Sequence, residues 1–247
     1  MDKLPKAPLQ EAIFEIRWPL QPDPSGRQLM DPEYAFALGK FQDALKDAFP
    51  HHVAKFPQDI PHQLLNYQTA HQFWQKDKQW PVVQLGPGIA TVNDTEQNYE
   101  WESTYLPNIK KTLVALEKSY GRSVFSSLSL RYIDVVRVAD YGFTNWEDFV
   151  QKHVNFQFNN QFDTRGKLAG FNFEQSFILN DLGHLNVSFT SGQNNKKEDI
   201  FIWQTAVVKQ SNISQEEVHP WLSKAHASTS DLFKKICKDE FYASFSK

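Results

Sequence analysis

Two stretches of this chain read alike, and that repetition narrows its architecture more than any single motif does. Ile13-Phe14-Glu15-Ile16-Arg17-Trp18 is an extended run that closes on an arginine and an aromatic residue. Leu128-Ser129-Leu130-Arg131-Tyr132-Ile133 repeats the form, with Arg131 114 positions after Arg17. Each is followed by a helix-like stretch, then alternating strand-like runs, then an amphipathic helix opened by Trp101 or Trp221. With Trp101 set on Trp221, Leu113 falls on Phe233 and Leu116 on Ile236 at one offset of 120. The two offsets differ by six residues, which an insertion in the loops of the second copy absorbs. The expected fold is therefore α+β, a duplicated β-α-β(3-4)-α unit with repeats at 1–122 and 123–247. Both repeats would share one large antiparallel sheet, forming one compact domain with the long helices on one face.

Such a unit gains from doubling because a lone sheet of four or five strands leaves its edges and one face uncovered. Two copies merge their sheets and leave a single open face, a platform for a partner or for a second copy of the chain.

Along the first half, residues 2–10 read as an extended lead-in and 11–18 as a strand that Pro19 stops. Pro22, Pro24, Gly26 and Pro32 make 19–32 a loop. Tyr34, Leu38, Phe41, Leu45 and Phe49 then form one apolar stripe, so a helix follows and Pro50 ends it. Strands are expected at Gln63–Tyr67, His71–Trp74 and Pro81–Leu85, with Gly86-Pro87-Gly88 as a hairpin turn into Ile89–Val92. A long helix starts near Tyr99–Trp101 and stops at Gly121. The second half is expected to give a strand over Phe125–Val138, a short helix over Thr144–Val150 and a polar loop near 157–169. Strands Phe171–Leu179, His184–Thr190 and Ile200–Val208 follow, and Ser214 with Glu217 forms a capping box for the closing helix.

Composition limits the partners. The 247 residues carry 26 basic and 29 acidic side chains for a net charge of −3, which gives no electrostatic case for a sequence-independent nucleic-acid binder. The apolar fraction of 40% is enough for a core. The one cysteine, Cys237, excludes a disulfide framework or a cysteine metal cluster. With no apolar signal region and no membrane-length apolar run, the protein is expected to be soluble and cytoplasmic.

Candidate chemistry is sparse. Strand parity puts Ile13, Glu15 and Arg17 on one face and Phe14, Ile16 and Trp18 on the other. Ser129, Arg131, Ile133, Val135 and Arg137 share a parity in the second copy. Glu15, Arg17, Arg131 and Arg137 are thus expected to meet on the open face, where paired guanidinium groups suit a carboxylate, a phosphate or a nucleotide. The plain structural alternative is a Glu–Arg pair on a half-exposed sheet. Asp134, on the core parity, is expected to be structurally satisfied or to reach a site. His226 flanks the apolar stripe of the last helix near Trp221 and Asp231, and with a carboxylate it would serve a hydrolase or transferase; Cys237 reads as a half-buried small residue. His51, His52, His62 and His71 lack metal-ligand spacing, so neither metal nor cofactor is expected. Gly86-Pro87-Gly88 lacks the lysine and following helix of a phosphate loop.

Several segments together resemble a sporadically distributed family of uncharacterised prokaryotic proteins of about 250 residues. They are Leu9–Arg17, Val83–Gly88, Arg131-Tyr132-Ile133-Asp134, and Trp221 with Ala225-His226 and Leu232-Phe233. That family usually has asparagine where this chain has Asp134. The resemblance implies no activity, ligand or catalytic residue, and its patchy distribution associates it with accessory or host-defence genes. The doubled architecture is similar to the TATA-binding-protein-like saddle, an analogy of fold that brings no DNA binding with it. The first functional expectation is a non-enzymatic binding protein whose open sheet face takes a protein partner or a small anionic ligand. The others are the His226 enzyme and a nucleic-acid-binding accessory protein.

Overall fold

Alternating burial along Leu9–Arg17 makes the first strand, β1: Ala12, Phe14 and Ile16 are buried, while Ile13, Glu15 and Arg17 are half-buried on the opposite face. The computed structural model describes residues 4–57, 59–95, 97–121, 124–157, 161–162, 165 and 168–246. After β1 come β2 (Gln21–Pro22), β3 (Leu29–Met30), α1 (Tyr34–Leu45), β4 (His51–Ala54), β5 (His71–Lys76), β6 (Gln79–Gly86), β7 (Ile89–Asp94) and α2 (Leu106–Tyr120). Then follow β8 (Val124–Arg137), α3 (Trp146–His153), β9 (Asn172–Leu179), β10 (Gly183–Gln193), β11 (Asp199–Ser214), α4 (Gln215–Ile236) and α5 (Asp239–Ser244).

Nine strands form one antiparallel sheet in the order β4-β5-β6-β7-β1-β8-β11-β10-β9, and β2 pairs with β3 in a separate ribbon. The fold is thus mixed α+β, as the sequence indicates. The chain divides into two compact units, neither a continuous half of the sequence. One comprises Met1–Glu11, Arg131–Val207 and Ser223–Lys247, and the other comprises Ala12–Leu130 and Val208–Leu222.

In the Ala12–Leu130 unit, the core lies between α1, α2 and one face of β5, β6, β7 and β1. Phe41 of α1 meets Phe73 of β5 edge-on at 5.5 Å, and the Tyr105 hydroxyl donates to the Val92 carbonyl at 2.9 Å. Phe14, Phe41 and Phe73 are fully buried, and burial stabilises each by roughly 1.5–3 kcal/mol. Gly121, left-handed at φ 58°, caps α2 by donating to the Glu117 carbonyl at 2.7 Å. The Ser214 amide donates to Glu217 Oε2 at 2.8 Å, one arm of the expected capping box.

In the Arg131–Val207 unit the core is aromatic. Phe149 of α3 packs on Phe201 and Phe241, and Phe241 on Phe245 at 4.8 Å. Trp203 lies over Phe233. Asn145 caps α3 by accepting from the Asp148 amide at 2.9 Å.

Several expectations need correction. Residues 63–67 are no strand: His62–Leu65 form a 3₁₀ turn, and Tyr67 takes a left-handed φ of 58° that no continuing strand accommodates. The hydrophobic pair Leu64-Leu65 mimics a strand, but only Leu65 is buried. The short edge strand β4, the β2–β3 ribbon and α5 fall where loop or helix end was expected. The second long helix begins with a π-helical turn over Trp101–Tyr105. The lead-in at 2–10 and the loop near 157–169 lie partly outside the described residues. No described helix is long and apolar enough to cross a membrane.

Candidate functional site

In the Ala12–Leu130 unit, the sheet face turned away from α1 and α2 is polar along one line. The register sets Gln72 beside Gln84, Gln84 beside Thr91, and Thr91 beside Glu15, a row running across β5, β6, β7 and β1. Gln84 ties the row together. Its Nε2 donates to Thr91 Oγ1 and Asn93 Oδ1, both at 3.2 Å, and its Oε1 accepts from Gln72 Nε2 at 3.1 Å. Thr91 Oγ1 donates to Asn93 Oδ1 at 2.7 Å, and Thr69 reaches Gln84 Oε1 at 3.4 Å while accepting from Lys55 Nζ at 2.9 Å. Thr91 and Asn93 are buried, so these bonds remove a desolvation cost that unpartnered amides would carry.

Arg17 stands at the end of this face. Its Nε lies 2.7 Å from Glu15 Oε1, an ion-pair distance, yet its N–H misses the oxygen and makes no hydrogen bond. The charge attraction is real and the directional bond is not. The guanidinium also sits 5.5 Å from the centre of the Tyr67 ring. Its terminal nitrogens have no partner among the described residues, and its side chain is 41% exposed. Tyr67 owes its place to the β6–β7 turn. A Cβ on Gly88 would come within 2.8 Å of the Tyr67 ring and of Leu20, and one on Gly86 within 1.8 Å of the Gln68 carbonyl oxygen. The Tyr67 amide donates to the Pro87 carbonyl at 2.8 Å. The Gly-Pro-Gly turn therefore seats the segment that presents Tyr67 to Arg17. The bulky Tyr67 in a left-handed conformation is the kind of local strain that gathers at binding sites.

The remaining expected residues are placed as follows. Arg131 is exposed on β8 in the Arg131–Val207 unit, without a partner among the described residues. Arg137, in the same unit, is held by Asp140, to which its Nε donates at 2.8 Å, and by Glu198 Oε1 at 3.0 Å from Nη1. Glu15 and Arg17 belong to the other unit, as does Trp221, which is buried.

Asp134 lies on the buried parity of β8, as expected, and burial pushes its carboxyl up to about 8. Cys237 is fully rather than half-buried; burial, with Asp134 adding to it, pushes its thiol up to about 12. His226 Nδ1 is 3.0 Å from the Tyr132 hydroxyl, and burial holds the imidazole down to about 4. At neutral pH each of these groups is held largely in its uncharged form. A thiolate nucleophile or a carboxylate orienting a histidine needs the opposite.

The histidines expected to be scattered are partly gathered: His52 Nε2 lies 2.8 Å from His71 Nδ1, and burial, then His52 and His62, holds His71 down to about 4. Even so, no group of three His, Cys, Asp or Glu among the described residues is placed to hold a metal. Sequence reasoning missed Gln72, Gln84, Thr91, Asn93 and Tyr67. The signal for the first four was available, since each is a polar residue on the same strand parity as its neighbours in the row.

Fold and site together define an α+β protein built on a nine-stranded antiparallel sheet, with a hydrogen-bonded polar row on the face opposite the helices in one unit. No protein-family model matches the chain, and neither a curated protein nor a solved structure matches it.

Proposed function

We propose that the protein is a non-enzymatic binding protein that takes a small anionic ligand, a carboxylate or phosphate, on the outer sheet face at Arg17. The observation that carries this reading is the state of that guanidinium. Glu15 and Tyr67 fix its orientation while its terminal nitrogens remain without a partner among the described residues. A pre-oriented fork of N–H donors is what bidentate recognition of an oxyanion requires. The polar row beside it offers hydroxyl and amide groups to the rest of the ligand. A protein partner would use the same face by presenting a side-chain or terminal carboxylate.

Arg131, exposed and without a partner among the described residues, is the second arginine of the proposal. Arg137, already engaged by two carboxylates, ranks below it. The His226 enzyme reading is less favoured because burial holds the imidazole down to about 4 and the contact at its Nδ1 is the Tyr132 hydroxyl rather than a carboxylate, and nucleic-acid binding is less favoured because the chain is net acidic.

The duplicated, TATA-binding-protein-like architecture belongs to the same proposal. From β1 outward the strand order runs β7, β6, β5, β4; from β8 outward it runs β11, β10, β9. In each half the first strand neighbours the last strand of its own meander, one rule applied twice, and this supports an ancestral doubling.

Isothermal titration with inorganic phosphate, nucleotides and dicarboxylates tests the site. Arg17→Ala should weaken binding roughly 10- to 100-fold, the worth of a charge-assisted pair. Arg17→Lys should recover only part of that loss. Unchanged binding in both Arg17→Ala and Arg131→Ala removes the arginines from the function.

A further inference from the structure

The two edge strands of the sheet are protected very differently. β4 has four residues and stands between Pro50 and Pro57. β9 has eight residues, Asn172–Leu179, and its pairing with β10 runs through eight consecutive residue pairs without a bulge. It contains no proline and no lysine, and Glu174 is its only charge. Phe173, Phe177 and Ile178 are exposed at 37%, 45% and 79%. A long, bulge-free, largely uncharged edge is a template for another strand, and sheet proteins ordinarily blunt such edges with charge, proline or bulges.

The hydrogen-bond phase of β9 says which residues offer their backbone. The Ser191 amide donates to the Phe171 carbonyl at 3.1 Å, which makes 171 and 191 a hydrogen-bonded pair. Continued along the antiparallel register, the backbone groups of Phe173, Gln175, Phe177 and Leu179 turn toward β10. Those of Asn172, Glu174, Ser176 and Ile178 turn toward the outer edge, which no described strand covers. A strand added there must therefore set even-numbered residues opposite one another as its hydrogen-bonded pairs.

The sequence of β9 satisfies that condition against itself. With a twofold axis at Gln175, Asn172 pairs with Ile178 and Glu174 with Ser176 as hydrogen-bonded pairs. Phe173 meets Phe177 on both sides of the axis as non-hydrogen-bonded pairs, where side chains stand closest. The two copies then place four phenylalanines on one face, two of them already lying 4.9 Å from Phe156 of their own chain. Aromatic cross-strand pairs are among the more stabilising in sheets, and each Glu174 faces a serine rather than another carboxylate. Moving the axis to Glu174 would oppose two like charges.

We propose that the outer edge of β9 is closed by β9 of a second copy of this chain, antiparallel across a twofold axis at Gln175, extending the sheet through an isologous dimer. The arrangement is independent of the ligand site at Arg17.

Cross-linking reads the register directly. At the axis the two Cα atoms stand about 4.5 Å apart, within the range a disulfide spans. Cys237 is the only native cysteine and is buried, so it does not compete. Gln175→Cys should oxidise to a covalent dimer in high yield, whereas Glu174→Cys and Ser176→Cys, each facing a different residue, should not. Light scattering on the native protein should give twice the 28.7 kDa of one chain. Ser176→Pro removes an amide aimed at the outer edge and none aimed at β10, so it should yield a monomer with an unchanged circular-dichroism spectrum. Four results would each overturn the proposal: a native protein that is monomeric at high micromolar concentration, preferential cross-linking at 174 or 176, a Ser176→Pro protein that is folded and still dimeric, or a different polypeptide seated on β9.

Discussion

Gly86 keeps its place on the outer face of β6 because a methyl group there would stand 1.8 Å from the Gln68 carbonyl oxygen, a backbone atom that cannot swing aside. Gly86→Ala should therefore cost about 3 kcal/mol or more in urea unfolding, as overpacking against main chain does. Gly88→Ala meets side chains rather than main chain, the end of Leu20 and the edge of the Tyr67 ring, both at 2.8 Å, and adds strain at φ +77°. It should cost less, on the order of 1–3 kcal/mol. Both variants displace the segment that carries Tyr67, so a titration should show weaker ligand binding in whichever of them still folds. Equal and negligible losses in stability would mean that the 66–69 segment does not rest on the turn. That Gly-Pro-Gly forms a hairpin turn was readable from its flanking apolar runs. That it also seats Tyr67 was not, because contact with a segment some twenty residues upstream leaves no local periodicity.

Gln84 makes the row across β5, β6 and β7 a unit rather than four independent side chains. Its amide donates to Thr91 and Asn93 and accepts from Gln72 and Thr69. Gln84→Met keeps the volume and removes all four bonds, leaving the buried Thr91 hydroxyl oxygen without its donor and Asn93 with one donor fewer, so a loss of about 1–3 kcal/mol is expected. Gln84→Glu should be similar near neutral pH, because a carboxylate cannot donate. A calorimetric melt within 1 °C of the parent for both would show that the row is ornamental. At the scale of strands and helices, much was legible in the sequence: the outward parity of Glu15 and Arg17 follows from alternation alone, and so does the inward parity of Asp134. Gly121 as a helix stop and Ser214 with Glu217 as a helix start also follow from local chemistry. The candidate site was legible only in part. Parity named Arg17, but the order β5-β6-β7-β1, which lines up Gln72, Gln84 and Thr91, depends on long-range pairing. His52 and His71, 19 positions apart, meet for the same reason. The misread strand at 63–67 shows the converse error, an apolar pair whose periodicity is too short to separate strand from turn.

At the scale of the whole chain, buried Asp134 and the half-buried His71 and His226 make stability depend on pH. His226 and His71 are held down to about 4, and Asp134 is pushed up to about 8. Between pH 4 and 6.5 the unfolded chain carries protons on both histidines that the folded chain lacks. It lacks the proton that folded Asp134 retains. From these three groups the unfolded state thus holds a net excess of one proton, and they make stability rise with pH by up to about 1.4 kcal/mol per unit. His52 and His153, lowered by burial, act in the same sense. Above 6.5 the histidines are neutral in both states and only Asp134 differs, now with more protons on the folded side. Stability should then fall by up to about 1.4 kcal/mol per unit until pH 8. The maximum is expected near pH 6.5, and Asp134→Asn should abolish the fall above it while leaving the difference from the parent near zero below pH 4. The two compact units separate these contributions, because Asp134 and His226 belong to one and His71 to the other. If calorimetry resolves two transitions, the one from the His71 unit should rise from pH 4 to 6.5 and then level. The other should rise less steeply over that range, as Asp134 opposes His226 and leaves only the smaller effect of His153, and then decline. An alkaline decline that persists unchanged in Asp134→Asn would mean that the carboxyl ionises in the folded chain without penalty and is not enclosed on β8.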